Sequence, residues 1–225
     1  MIKPKVFRVA LSGTFQAGDG EPAFPMFDLA PLVGDPDIEF AYVPGVDGRM
    51  TGESLEDFDA LVLLLEKFDA DSIPRSGRLA LVTRFGVGYD TVDVPACTAA
   101  GIAVGITPDG VRRPVAIAIL TYILALAGKL IAKDALVRGG PESFARRSDH
   151  MGKGLVGRTL GVVGLGNIGA ELARICAPLD MRLIAHDPYI DPRSARAINV
   201  ELTDLETVFR ESDFLSVSVP LSADT

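Results

Sequence analysis

Between residues 160 and 177 an apolar run, a glycine-rich hexapeptide and a run of helix formers follow one another without a break. The hexapeptide is Gly164-Leu165-Gly166-Asn167-Ile168-Gly169. Leu160, Gly161, Val162 and Val163 precede it, as a strand requires, and Ala170-Glu171-Leu172-Ala173-Arg174 continues as a helix. Each glycine has its own physical reason: Gly164 permits a tight turn, Gly166 lets backbone approach a pyrophosphate, and Gly169 lets the helix pack close to the strand. A diphosphate would then rest on free N–H groups at a helix N-terminus, where the helix dipole favours an anion. The next apolar run, residues 182–186, ends on Asp187. A carboxylate at that place accepts hydrogen bonds from ribose hydroxyls and repels a 2′-phosphate, so the pattern points to a dinucleotide, and to NAD over NADP. The alternative is a structural glycine turn beside a solvated aspartate.

The rest of the chain supplies the context. Apolar runs at residues 6–11, 38–43, 60–65, 79–83 and 102–106 read as strands, separated by short segments at 24–33, 55–58 and 95–100 with room for one or two helical turns. The continuous run Ala60-Leu61-Val62-Leu63-Leu64-Leu65 is what a strand covered on both faces needs. Asp93, two residues before Pro95, is a helix-start signal. Residues 111–137 form the longest helical candidate, with Pro114 in its first turn, Gly139-Gly140-Pro141 as its stop and apolar residues on nearly every side, which predicts burial. Residues 141–154 are polar and read as a surface excursion. A second series follows: strands at 159–163, 182–186 and 214–219, a short edge strand at 198–201, and helices at 168–177 and 202–210. The expected architecture is α/β, with one parallel-sheet domain over residues 1–108 and a Rossmann-type dinucleotide domain over 109–225. The boundary falls at Pro108-Asp109-Gly110, a turn signal before the long helix.

Charge and cysteine usage narrow the class. A formal net charge of −8 argues against nucleic acid or an anionic membrane as partner. The longest apolar run, residues 116–127, ends at Gly128-Lys129, short of membrane-spanning length. The N-terminus has no small-residue cleavage signal. Cys97 and Cys176 stand alone, without a CxxC or a Cys/His cluster, so two buried thiols in a reducing cytoplasm are expected and no metal site.

A second glycine loop, Arg84-Phe85-Gly86-Val87-Gly88-Tyr89-Asp90, follows the 79–83 run. Glycines on both sides of Val87 allow successive amides to face one way and hold an anion such as a substrate carboxylate. An ordinary strand-to-helix turn, with Asp90 or Asp93 capping and Arg84 solvated, accounts for the same spacing.

Taken together, these motifs resemble the D-isomer-specific 2-hydroxyacid dehydrogenases. The resemblance runs through Arg84 to Asp93, Gly101-Ile102-Ala103-Val104, Thr107-Pro108-Asp109-Gly110, Gly157 to Gly169, His186-Asp187-Pro188-Tyr189, and Ser212-Asp213 to Pro220-Leu221, across residues 55–225. It implies a flavodoxin-like substrate domain over residues 1–108 and an incomplete Rossmann-type dinucleotide domain over 109–225, and that Gly86, Val87 and Gly88 supply amides to a substrate carboxylate. It further implies that Asn167 and Ile168 contact the pyrophosphate with Gly164, Gly166 and Gly169, that Asp187 binds the adenosine ribose, and that Val219 and Pro220 line the nicotinamide side. Two departures stand out: Val115-Ala116-Ile117 where the family often has Val-Ala-Glu, and Ser218 where it often has histidine. Arg112 and Arg113 could face an acidic substrate, but solvated helix-start residues are the simpler expectation.

The family's reaction needs an arginine, a histidine acid/base and an acidic residue to orient it, all after the strand ending near Val219. No residue of this chain is assigned those roles, and His150 and His186 do not fit them. A six-stranded dinucleotide domain would continue for about 50 residues at roughly 30 per βαβ step. The chain is therefore expected to be part of a longer protein. The implied activity is NAD-dependent interconversion of a small D-2-hydroxy acid and its 2-oxo acid, in a cytoplasmic homodimer. The alternative is a non-enzymatic NAD sensor or corepressor-like protein.

Overall fold

A computed structural model describes residues 6–18, 20–24 and 27–221. The chain divides into two compact units between Pro108 and Asp109, each built on its own parallel sheet. In the first unit β1 (Phe7–Ser12), β2 (Ile38–Val43), β3 (Ala60–Leu63), β4 (Leu81–Arg84) and β5 (Ala103–Ile106) pair in the order β2-β1-β3-β4-β5. This is the flavodoxin-like order, with its switch point between β1 and β3. The pleat sorts the apolar side chains. Ala10, Leu61, Leu63 and Val82 join one buried cluster with Met50 and Phe68, while Val9, Leu11 and Val62 join another with Phe15. Helices α1 (Ala30–Val33) and α2 (Val94–Ala99) are short, and the Asp93 carboxylate caps α2 by accepting the Ala96 N–H at 2.9 Å.

The second unit contains β6 (Thr159–Val163), β7 (Arg182–His186), β8 (Glu201–Leu202) and β9 (Phe214–Val217), in the order β8-β7-β6-β9. Its helices are α3 (Pro108–Ala127), α4 (Leu130–Arg138), α5 (Gly140–Phe144), α6 (Asn167–Cys176), α7 (Pro192–Ala197) and α8 (Leu205–Glu211). The buried residues of α6 are Gly169, Leu172, Ala173 and Cys176. Their i, i+3, i+4, i+7 spacing lays one face on the sheet, against a core that includes Leu160, Val162 and Ala185.

In both sheets an aspartate–arginine pair fastens the amino ends of the strands. Asp59 accepts the Arg8 N–H at 2.7 Å and two bonds from Arg78, at 2.8 and 2.6 Å. Asp213 accepts the Thr159 N–H and an Arg158 N–H, each at 3.0 Å. The carboxyl ends are left to the loops.

Several expectations need correction. The single helix over 111–137 is two helices, because Lys129 adopts a left-handed conformation (φ 50°) next to Gly128 and breaks the ladder. The first of them starts at Pro108, which places Pro114 in its interior rather than its first turn. That helix is not buried all round: Ala116 and Ile123 enter the core, while Tyr122 is 69% and Leu126 72% exposed in this chain. It is also long and apolar enough to cross a membrane by composition, yet it packs on the second sheet through Ala116, Ile119, Leu120 and Ile123. The 141–154 excursion contains α5 and a 3-10 turn, Arg147–His150. Within 24–33 only Ala30–Val33 is helical, with Pro25 and Met26 outside the described residues. Segment 55–58 gives only a 3-10 turn, Glu53–Leu55. The edge strand expected at 198–201 is Glu201–Leu202.

Leu172 is fully buried. Leu172→Ala should lower unfolding stability by about 2–5 kcal/mol, read from the midpoint of a urea titration followed by circular dichroism.

Candidate functional site

The glycine hexapeptide forms the turn from β6 into α6. Gly164 has φ +90°, and a Cβ there would lie 2.6 Å from the Ser218 carbonyl oxygen and 2.8 Å from Val219 Cγ1. Only glycine meets both demands. A Cβ on Gly169 would run into the Gly164 carbonyl oxygen, so the missing side chain lets α6 sit down on the strand end. Gly166 differs. It is the N-cap of α6, with extended backbone, no side-chain capping bond and nothing within 4 Å of where a Cβ would stand. The N–H groups of Asn167 and Ile168 belong to the first helical turn, which has no intrahelical acceptors for them. The result is an open cradle of amide donors at the positive end of a ten-residue helix.

Asp187 joins this cradle directly. One carboxylate oxygen accepts the Leu165 N–H at 2.8 Å, and the other accepts the Tyr189 N–H at 2.9 Å. The Gly164 N–H reaches the His186 carbonyl at 2.9 Å, so the ends of β6 and β7 are tied at the same place. Val219 lies against Gly164, and Pro220 follows it, exposed. A hollow of about 250 Å³ opens beside the cradle, lined by Gly166, Asn167, Arg112, Arg174 and Ser194 among others. Arg113 is ion-paired to Glu171 of α6 at 2.5 Å and holds that carboxyl below its usual range. Arg112 lies 3.5 Å from Asp109 and borders the hollow. Both side chains are largely exposed, as expected, and each has an acidic neighbour. His186 Nδ1 faces the Thr203 carbonyl at 3.1 Å. Cys97 and Cys176 are buried free thiols, and burial pushes the Cys176 thiol up to about 11.

In the first unit the second glycine loop leaves the carboxyl end of β4. Gly86 has φ +142°, and its N–H already donates to Thr107 Oγ1 at 2.8 Å and to the Arg84 carbonyl at 2.9 Å. The Thr107 N–H returns a bond to the Gly86 carbonyl at 2.8 Å. Of the three amides expected to face an anion, those of Val87 and Gly88 remain without an acceptor among the described residues. Arg84 is half-buried: its Nη1 donates to the Phe85 carbonyl, and its Nε has no hydrogen-bond partner among the described residues.

A carboxylate that the sequence reading missed sits beside this loop, at the β1/β3 switch point. Glu66 is 4% exposed. It accepts the Thr14 N–H at 3.0 Å, the Thr14 hydroxyl at 2.8 Å and the Leu65 N–H at 3.2 Å. The only signal for it was a lone acid closing the apolar run Ala60 to Leu65. Burial alone would raise the Glu66 pKa, but hydrogen bonds from Ser12, Thr14 and the backbone of its own loop outweigh that and hold it below the ordinary 4.5. A carboxyl with a depressed folded-state pKa stabilises the fold above its unfolded pKa and loses that contribution as pH falls through the folded value. Glu66→Gln should therefore lower the unfolding midpoint at neutral pH. Its deficit against wild type should shrink below about pH 4.5, measured by thermal melts across a pH series.

The sequence and the fold recur among known proteins. Residues 28–118 match the catalytic domain of the D-isomer specific 2-hydroxyacid dehydrogenases, and residues 120–225 match the NAD binding domain of that family. A glyoxylate reductase of Thermococcus litoralis is 34% identical over 178 residues, covering 77% of this chain and 54% of the relative. A D-3-phosphoglycerate dehydrogenase of Archaeoglobus fulgidus is 36% identical over 169 residues, covering 75% of this chain and 32% of the relative. The chain thus spans about half or less of the length of the curated relatives it matches. Among solved structures, D-lactate dehydrogenase from Aquifex aeolicus, complexed with NAD and lactic acid, superposes with a TM-score of 0.78 at 22% identity, covering 96% of this chain and 62% of that one. Fold, paired domain matches and sequence identity agree: the chain belongs to the D-isomer-specific 2-hydroxyacid dehydrogenase family.

Proposed function

We propose that the protein binds NAD at the Gly164–Gly169 turn and, as a whole, interconverts a D-2-hydroxy acid and its 2-oxo acid. One observation carries the reading: the Asp187 carboxylate stands on the Leu165 N–H, beside a helix end whose first amides have no cap. A dinucleotide needs both features together, acceptors for a ribose and donors for a diphosphate. The fit is physical as well as topological. The space beside Gly166 is where a Cβ would obstruct an approaching phosphate, and no side chain fills it.

In this reading Gly164 and Gly169 shape the turn, while Gly166, Asn167 and Ile168 present amides to the diphosphate. Asp187 accepts from the ribose hydroxyls and disfavours a 2′-phosphate. Val219 and Pro220 form the wall on the nicotinamide side. Bound NAD supplies a hydride acceptor or donor at its nicotinamide ring. In the other unit the Val87 and Gly88 amides, stiffened by the Thr107 bonds to Gly86, hold the substrate carboxylate. The family relation supports this assignment. A cytoplasmic homodimer is part of the proposal.

NADH titration followed by nucleotide fluorescence tests the cofactor half. Gly166→Ala should lower the melting midpoint only slightly, the cost of alanine at an N-cap, because its backbone is extended and its surroundings are open. It should nevertheless weaken NADH binding by about tenfold or more, a loss of roughly 1.4 kcal/mol. Asp187→Ala should erode the preference for NADH over NADPH. Equal NADH affinity in wild type and Gly166→Ala would sink the assignment. NADH oxidation by the full-length protein with a panel of 2-oxo acids tests the reaction itself. Tight NADH binding with no turnover would favour a sensor.

A further inference from the structure

We infer that Arg112, near the head of α3, is a cofactor-binding residue: its guanidinium receives the diphosphate of the dinucleotide beside the Asn167 and Ile168 amides. This rests on the NAD reading and deepens it, by assigning a side chain outside the glycine turn. Helix α3 packs on the second sheet through Ala116, Ile119, Leu120 and Ile123. Arg112 lies one turn before the fully buried Ala116, so it continues that inward stripe past the end of the apolar core. At this height the stripe meets the start of α6. Arg113 is paired to Glu171 of that helix, and Arg112 borders the hollow lined by Gly166, Asn167 and Ala170.

The local charges leave one cation over. Arg112, Arg113 and Arg174 stand against two carboxylates, Glu171 and Asp109. Glu171 is largely buried and both its oxygens are engaged, one by Arg113 at 2.5 Å and the other by Arg174 at 3.4 Å. Arg112 adds to the positive field that lowers the Glu171 pKa, but its ion-pair partner is Asp109, at 3.5 Å and 89% exposed. An exposed pair of this kind contributes little and is readily exchanged for a better one. The surplus positive charge therefore belongs to Arg112, at the edge of a hollow where the uncapped amides of α6 add the positive end of a helix dipole.

Of the parts of a dinucleotide, the diphosphate is the one that carries negative charge. A planar guanidinium gives two parallel N–H bonds to phosphate oxygens, which amides on one helix turn cannot do alone. Arg174 lines the same hollow, but it lies two turns beyond Gly166, about 12 Å along α6, and is held by Glu171. Arg112 is the cation on the Asn167 side that no buried carboxylate holds.

The full-length protein tests this by NADH titration followed by nucleotide fluorescence, with ADP and adenosine titrated as competitors. Arg112→Met keeps most of the side chain's length and removes its charge. It should raise the dissociation constants of NADH and ADP by about tenfold, the scale of one charged hydrogen bond, and leave that of adenosine, which has no phosphate, within about twofold. The loss should shrink as sodium chloride rises from about 0.02 to about 0.5 M, because salt screens a partly exposed charge and does not repair damaged packing. Arg112→Lys, which restores the charge without the planar fork, should bind ADP more tightly than Arg112→Met. Unchanged ADP affinity in Arg112→Met, an equal loss for adenosine, a loss insensitive to salt, or no recovery in Arg112→Lys each overturns the inference and leaves the NAD reading standing. Absence of NADH binding by the wild-type protein overturns both.

Discussion

The close approach of Gly169 to the Gly164 carbonyl is the contact on which the second unit depends. Because neither residue has a side chain, α6 starts directly off the end of β6 and lays Leu172, Ala173 and Cys176 on the sheet. The same approach aims the first amides of α6 out of the structure and brings Leu165 within reach of Asp187. A bulkier residue at position 169 would push the helix off the strand and separate donors from acceptor. Packing and binding geometry are thus consequences of one steric fact.

The two sheets divide their ends between stability and chemistry. At the amino ends, Asp59 with Arg78 and Asp213 with Arg158 satisfy backbone amides and fasten neighbouring strands. At the carboxyl ends, loops carry the glycine turns and the acidic groups, as open parallel sheets generally arrange their ligand sites. In the first unit Glu66 and Thr107 make the carboxyl-end loops definite. Glu66 ties the loop after β3 to the loop after β1, and Thr107 ties β5 to Gly86. Rigid loops hold free amides in place, which matters more for recognition than the number of amides.

Much of this was legible before any coordinates. The strands at 159–163 and 182–186 coincide with β6 and β7, because strands with buried central residues announce themselves as apolar runs, and 38–43 coincides with β2, an edge strand whose residues alternate in exposure. Asp93 caps α2 as its spacing to Pro95 suggests. Other features were not legible. Composition could not reveal that Lys129 would take a left-handed conformation, nor that α3 would bury only part of its apolar girth. Helix α7 was overlooked, although Asp191 before Pro192 is a usable start signal, and Asp191 does accept the Arg193 N–H at 2.9 Å. Glu66 went unmarked because its partners, Ser12 and Thr14, lie about fifty residues away in the chain.

By itself the sequence determined the alternation of strands and helices, the glycine turn, the acid that follows it, and through these the family. Those features are local: spacing, steric permission and helix-start chemistry act within a few residues. Tertiary structure alone decided which amides are free. Gly86 and its neighbours look equivalent in sequence, but Thr107, brought alongside by the pairing of β5 with β4, takes up the Gly86 amide and leaves Val87 and Gly88. It also decided that Leu65 and Phe85, just past the carboxyl ends of the paired strands β3 and β4, stand exposed near a buried carboxylate. The reason is physical: hydrogen-bond satisfaction and exposure are properties of what the fold brings together, and strand pairing joins residues that the chain keeps far apart.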